Sequence, residues 1–124
     1  MKLRTFFMIV AIIGLLYSVG LLLMPNFMET SYGTGTSASE VLSDRFFGAT
    51  LLSLAVITWL ARDLTGASVR PIITGSLIGN AVGFVVALMG TLGGVMNTSG
   101  WSAVVIYLVF SLGFAYFQFM APPK

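Results

Sequence analysis

The polar groups set into the apolar stretches of this chain are few: Tyr17, Ser18, Arg45, Ser53, Asn80, Tyr107, Ser111 and Gln118. A guanidinium beside an amide and two phenols can donate hydrogen bonds to one acceptor. Arg45, Tyr17, Asn80 and Tyr107 therefore form a candidate ligand site for an anionic or carbonyl-bearing amphiphile such as a lipid or quinone. A blander role is equally well grounded in the residue types. Asn80 and the serines can simply join helices, at about 0.6 kcal/mol per interhelical hydrogen bond, and Arg45 can pair with Glu40, Asp44 or a lipid phosphate by snorkelling.

What is absent narrows the chemistry further. The chain has no cysteine and no histidine, which removes thiolate catalysis, sulfur-ligated metals, the usual general base and the commonest metal ligand. Glu29, Glu40, Asp44 and Asp63 fall in expected loops or at helix ends, so no buried acid is available for proton-coupled transport. No acid pair and no Ser-His-Asp set can be assembled, and no cofactor is implied. These absences argue against an enzyme. The net charge of +2 is too small to argue for nucleic acid.

The elements that must position these residues are membrane spans. Apolar residues make up 57% of the chain and charged residues 8%, against about 25% charged in ordinary soluble domains. A spanning helix needs about 20 apolar residues. The uncharged stretch from Thr5 to Met24 gives one span and Glu40 to Ala61 a second. The charge-free sequence between Arg70 and Lys124 holds two more, 71–96 and 101–120, turning near Asn97–Gly100. The expected fold is an all-α, four-helix membrane bundle forming a single domain over 1–124. The basic start of the first span resembles a signal peptide, but the apolar run is too long and no A-x-A site follows, so it is read as a retained helix. Asn26 to Thr36 reads as a polar, turn-rich loop; its lone G-x-G at Gly33–Gly35 is a turn and no phosphate loop. Ser37 and Glu40 fit a capping box for the second helix. Ser68 is a candidate cap for the third, with Pro71 in its first turn. Trp59 and Trp101 suit the two interfaces. Arg45 lies about 21 Å along the axis from Trp59, where it is expected to face protein over Ala49 and Ser53.

The third span carries the clearest packing signal. At about 100° per residue, Gly75, Gly79, Gly83, Ala87, Gly90 and Gly94 fall on one stripe, with Ser76 on it and Asn80 at its edge. In water each interior glycine would cost roughly 1 kcal/mol relative to alanine; in lipid, small residues let helices approach closely. The stripe is expected to turn toward other helices of the same chain. Ala11, Gly14 and Ser18 share a face of the first span, and Tyr107, Ser111, Ala115 and Gln118 one of the fourth. With both termini cytoplasmic, Lys2, Arg4, Arg62, Arg70 and Lys124 lie inside and only Arg45 outside, the arrangement the positive-inside rule favours.

The first span ends Leu22-Leu23-Met24-Pro25 and is followed by Tyr32-Gly33. The second is led by Asp44-Arg45-Phe46-Phe47-Gly48-Ala49, and the third contains Gly79-Asn80-Ala81-Val82-Gly83. In this pattern the chain resembles the small bacterial four-helix membrane proteins grouped around the DoxX-like families. The resemblance implies a bacterial cytoplasmic-membrane protein linked to quinone-associated sulfur oxidation or membrane redox complexes. Any redox role would have to belong to a partner, and no catalytic residue carries over. The first expectation is thus a non-catalytic accessory or structural subunit, bound to a partner membrane protein or a second copy of itself. The second is a binder or transporter of a small amphiphile near Arg45 and Asn80; an enzyme comes third.

Overall fold

A computed structural model describes residues 1–124, and the chain is helical throughout, with no strand. The order is α1 (Leu3–Leu23), α2 (Pro25–Tyr32), α3 (Ala38–Leu60), α4 (Arg70–Leu92) and α5 (Gly100–Ala115), which continues into a π-turn over Tyr116–Met120. Four helical segments, including all of these but α2, are long and apolar enough to cross a membrane.

The local sequence explains where each helix stops. Met24 leaves helical geometry ahead of Pro25, whose fixed φ and missing N–H suit the first position of α2. Gly33 ends α2 in the left-handed conformation, φ 72°, a backbone state that glycine adopts without steric cost. The expected loop from Asn26 is therefore largely a helix. Thr30 and Ser31 donate their hydroxyls to Asn26 and Phe27 carbonyls at 2.7 and 2.8 Å, so its polar side chains support the helix. The capping box at α3 is present. The Glu40 N–H donates to Ser37 Oγ at 3.3 Å, and the Ser37 N–H donates to Glu40 Oε2 at 2.9 Å. Ser68 does not cap α4; it lies in a 3₁₀ turn, donating to the Thr65 carbonyl at 2.7 Å, and Val69 holds the cap position. α4 stops at Leu92, short of the expected 96, because the Val95 and Met96 N–H groups fold back onto the Gly90 carbonyl at 3.0 and 3.1 Å around Gly94, φ 76°.

The helices pair as α1 with α3 and α4 with α5. Between α1 and α3 the small residues work as close-approach points: a Cβ on Gly14 would meet that of Ala55 at 3.4 Å, and one on Gly48 would meet Leu21 and Leu22 at 3.0 Å. The two pairs join through aromatic side chains. Phe6 and Phe7 of α1, Phe110 and Phe114 of α5 and Phe117 of the π-turn are buried together with Val69 and Ile73. The Phe6 ring stands edge-on to Phe114, centroids 4.9 Å apart, a favoured aromatic geometry. The wider π-turn holds Phe117 with its centroid 5.5 Å from Phe6.

Both termini and the α3–α4 connection share one end of the molecule. Arg4 Nε lies 3.1 Å from Asp63 Oδ1, and Gly66 approaches the backbone of Lys124. The opposite end is tied by Asn97, whose N–H donates to the Tyr32 carbonyl at 2.8 Å and whose side-chain amide donates to the Ser31 carbonyl at 3.1 Å. Large apolar side chains such as Leu60, Ile78, Val86, Met89 and Leu92 cover much of the outer surface, far more than a soluble monomer exposes.

Candidate functional site

The structure brings Tyr17 together with two groups that sequence reasoning did not assign to the site, Tyr32 and Ser102. The Tyr17 and Tyr32 hydroxyl oxygens are 3.0 Å apart, and Tyr32 Oη is 3.3 Å from Ser102 Oγ. Ser102 donates its own proton to the Ser99 carbonyl at 2.6 Å. A hydroxyl has one proton, so Ser102 accepts from Tyr32, which accepts from Tyr17. The chain of bonds runs from α1 through α2 into the first turn of α5. No base or carboxylate bonds to these hydroxyls, and the arrangement can hold three helices in register and offer acceptor lone pairs. Tyr107 lies about 7.5 Å further along α5 from Ser102, with its ring against the backbone of Gly83.

Arg45 and Asn80 stand apart from this cluster. Arg45 is exposed on α3 together with Ala49 and Ser53, so the side expected to face protein faces outward. It forms no ion pair with Glu40 or Asp44; the salt bridges of the chain are both to Asp63. Asn80 donates to the Ser76 carbonyl of its own helix at 2.8 Å. Ser18 donates to the Leu15 carbonyl at 2.8 Å, and Ser111 to the Tyr107 carbonyl at 2.7 Å. The bonds of Ser18, Asn80 and Ser111 all stay within their own helices. The interhelical polar bond within the spans is Thr74 Oγ1 to Gln118 Oε1, 3.1 Å.

The glycine stripe of α4 is split. Gly83 meets the Tyr107 ring, Ala87 is buried, and a Cβ on Gly90 would meet Met96 at 3.2 Å. Gly75 and Gly79 have nothing within 4 Å of where a Cβ would stand, and Gly94 lies beyond the helix with nothing near it either. The expectation that the stripe is covered within the chain is thus corrected for Gly75, Gly79 and Gly94. The physical reason is a rotation of the helix. Ile73 and Ala87 are its buried positions, and the bulk of Ile73 near the aromatic cluster turns the glycines to the flank.

A carboxyl pair was also missed. Glu29 is 6% exposed; its Oε2 accepts from Thr34 Oγ1 at 2.7 Å, and Asp44 at the start of α3 is its acidic neighbour. The signal was Pro25 and Glu29, four apart and hence on one face of a helix, invisible while this segment was read as a loop. At the other end, Arg62 lays its guanidinium 4.5 Å from the Trp59 ring centroid and donates from Nη1 to the Trp59 carbonyl at 2.7 Å. No set of His, Cys, Asp and Glu side chains large enough to hold a metal ion is present.

Comparison with family models, with curated proteins and with solved structures finds no match for this chain.

Proposed function

We propose that the chain is a non-catalytic integral membrane protein that serves as an accessory or structural subunit of a larger membrane assembly. In this reading it lies in the cytoplasmic membrane of a bacterium, with both termini on the cytoplasmic side, in keeping with its resemblance to the DoxX-like proteins. The observation that carries the reading is the open space beside Gly75 and Gly79. In a bilayer, small residues on a helix surface favour close approach of another helix. This chain leaves that surface uncovered while it spends its own side chains on the α1–α3 and α4–α5 pairs. The exposed side of α3 at Arg45, Ala49 and Ser53 offers a second small-residue strip, with a cation at its rim. The amphiphile reading at Arg45, Tyr17, Asn80 and Tyr107 is less well supported, since Arg45 is exposed on α3 and Asn80 bonds its own helix.

The test is the mass of the gently solubilised protein by native mass spectrometry, with thermal stability measured alongside. The expected result is a species larger than the monomer that Gly79→Leu reduces to monomer without lowering the melting temperature. A monomer in both samples would overturn the proposal.

A further inference from the structure

We propose that the end of the molecule carrying both termini binds an anionic glycerophospholipid, with its phosphate on Arg4 and Arg62 and an acyl chain in the groove between α1 and α3. The site does not depend on the accessory role: it uses a different face.

Three observations meet there. The first is a recess of about 420 Å³ bounded by Arg4, Arg62, Asp63, Thr65 and Lys124, in the size range of small-ligand sites. Asp63 is its one acidic side chain. Asp63 Oδ1 lies 3.1 Å from Arg4 Nε and Oδ2 lies 3.8 Å from Arg62 Nε, so a single carboxylate orients two guanidiniums and leaves the recess with an excess of positive charge. Lys2 and Arg70 add to it at the same end.

The second is the set of unused donors. A guanidinium has five N–H groups in a planar fork suited to phosphate. Arg62 spends Nη1 on the Trp59 carbonyl and directs Nε to Asp63; Arg4 has Asp63 alone. Most donors on both side chains have no protein acceptor. Arg62 is also held in place, with its side chain 24% exposed and its guanidinium carbon over the Trp59 ring, so it loses little freedom when an anion arrives.

The third is what Trp59 touches on its other side. It lines a groove of about 300 Å³ with Ala11, Leu15, Ala55, Val56 and Leu60, and every residue of that lining is apolar. Apart from the indole N–H of Trp59, the lining has no donor or acceptor side chain, which suits hydrocarbon. Charge at one end and hydrocarbon toward the centre, bridged by the Arg62–Trp59 contact, match a phospholipid and mismatch a free anion or a purely apolar molecule. Basic pockets between helices at this depth are a recurrent means of holding anionic headgroups.

The experiment uses the full chain in detergent, titrated with dioleoyl phosphatidylglycerol, dioleoyl phosphatidylcholine or inorganic phosphate and read by native mass spectrometry. The phosphatidylglycerol adduct is expected to survive at several-fold lower lipid concentration than the phosphatidylcholine one. Arg62→Gln and Arg4→Gln should each weaken it by about fivefold, while Thr98→Ala, in the exposed turn at the far end, leaves it unchanged. Val56→Trp, at an exposed position, should fill the groove and weaken the lipid adduct. Melting curves identify any variant that fails to fold; Arg4 is 60% exposed, so its variant keeps the test open if Arg62→Gln is unstable. Equal retention of the two lipids would overturn the proposal, as would an equal loss on Thr98→Ala. Inorganic phosphate binding as tightly as phosphatidylglycerol, with Val56→Trp having no effect, would reduce the site to a simple anion site and overturn it too.

Discussion

Tyr17 and Tyr32 place their hydroxyl oxygens 3.0 Å apart, tying the first long helix to the short one that follows its proline. Because Ser102 has already given its proton to a backbone carbonyl, Tyr32 is the middle member of the chain, with one bond given and one received. Tyr32→Phe should therefore destabilise more than Tyr17→Phe, which costs about 0.5–1.5 kcal/mol for one hydrogen bond. The double variant should cost no more than Tyr32→Phe alone. Thermal denaturation in detergent measures this, and simple additivity of the two single changes would refute the relay.

The rotation of α4 gives opposite expectations for two glycines one turn apart. Gly83→Ala drives a methyl into the Tyr107 ring, and overpacking of this kind costs about 1–3 kcal/mol. Gly79→Ala meets open space and should stabilise the isolated protein by up to roughly 1 kcal/mol through helix propensity. Equal effects in a melting experiment would mean that the helix is not turned as described.

Phe114 is fully buried at the junction of the two helix pairs. Phe114→Ala should cost about 3–5 kcal/mol and is the substitution most able to separate the pairs. Gln118→Leu, which removes the bond from Thr74, should cost only about 0.6 kcal/mol. A larger loss from Gln118→Leu than from Phe114→Ala would place the junction in the polar contact and not in the rings.

Asp44→Asn should raise the melting temperature at pH 8. It removes one of two neighbouring like charges where Glu29 is buried, and an amide can still donate to a carboxylate. A lower melting temperature at that pH would show that the pair is held together by a shared proton, with no repulsion to relieve.

The long helices were legible because their signals are local. Charge-free stretches of the right length, the Ser37–Glu40 box and Pro71 each act within a turn or two of chain. Helix identity is therefore visible without knowing what packs where. What was not legible depends on rotation and on neighbours. Gly75 and Gly83 fall on the same broad stripe of a helical wheel, and the position of the Tyr107 ring and the bulk of Ile73 decide which of them is covered. Arg45 over Ala49 and Ser53 looks the same in sequence whether α3 turns that strip toward protein or away. Tyr32 and Glu29 were lost for a different reason: polar composition outweighed the proline start and glycine stop of α2, so a helix with a buried face was read as a loop. Of the four polar residues grouped from the sequence, Arg45 is exposed and Asn80 bonds its own helix. Such intrahelical bonds satisfy a lone polar group without any partner.

The pairing of α1 with α3 and of α4 with α5 bears on how the chain is made. Each long helix has as its main neighbour the next or the preceding long one, so no pair waits for sequence far ahead of it. During synthesis the first hairpin can close before Arg70 has been added, protecting Gly14 and Gly48 early. Joining it to the second hairpin must wait for Phe110, Phe114 and Phe117, which makes the aromatic junction the last step of assembly and the point where a nascent half is most exposed to the wrong neighbour.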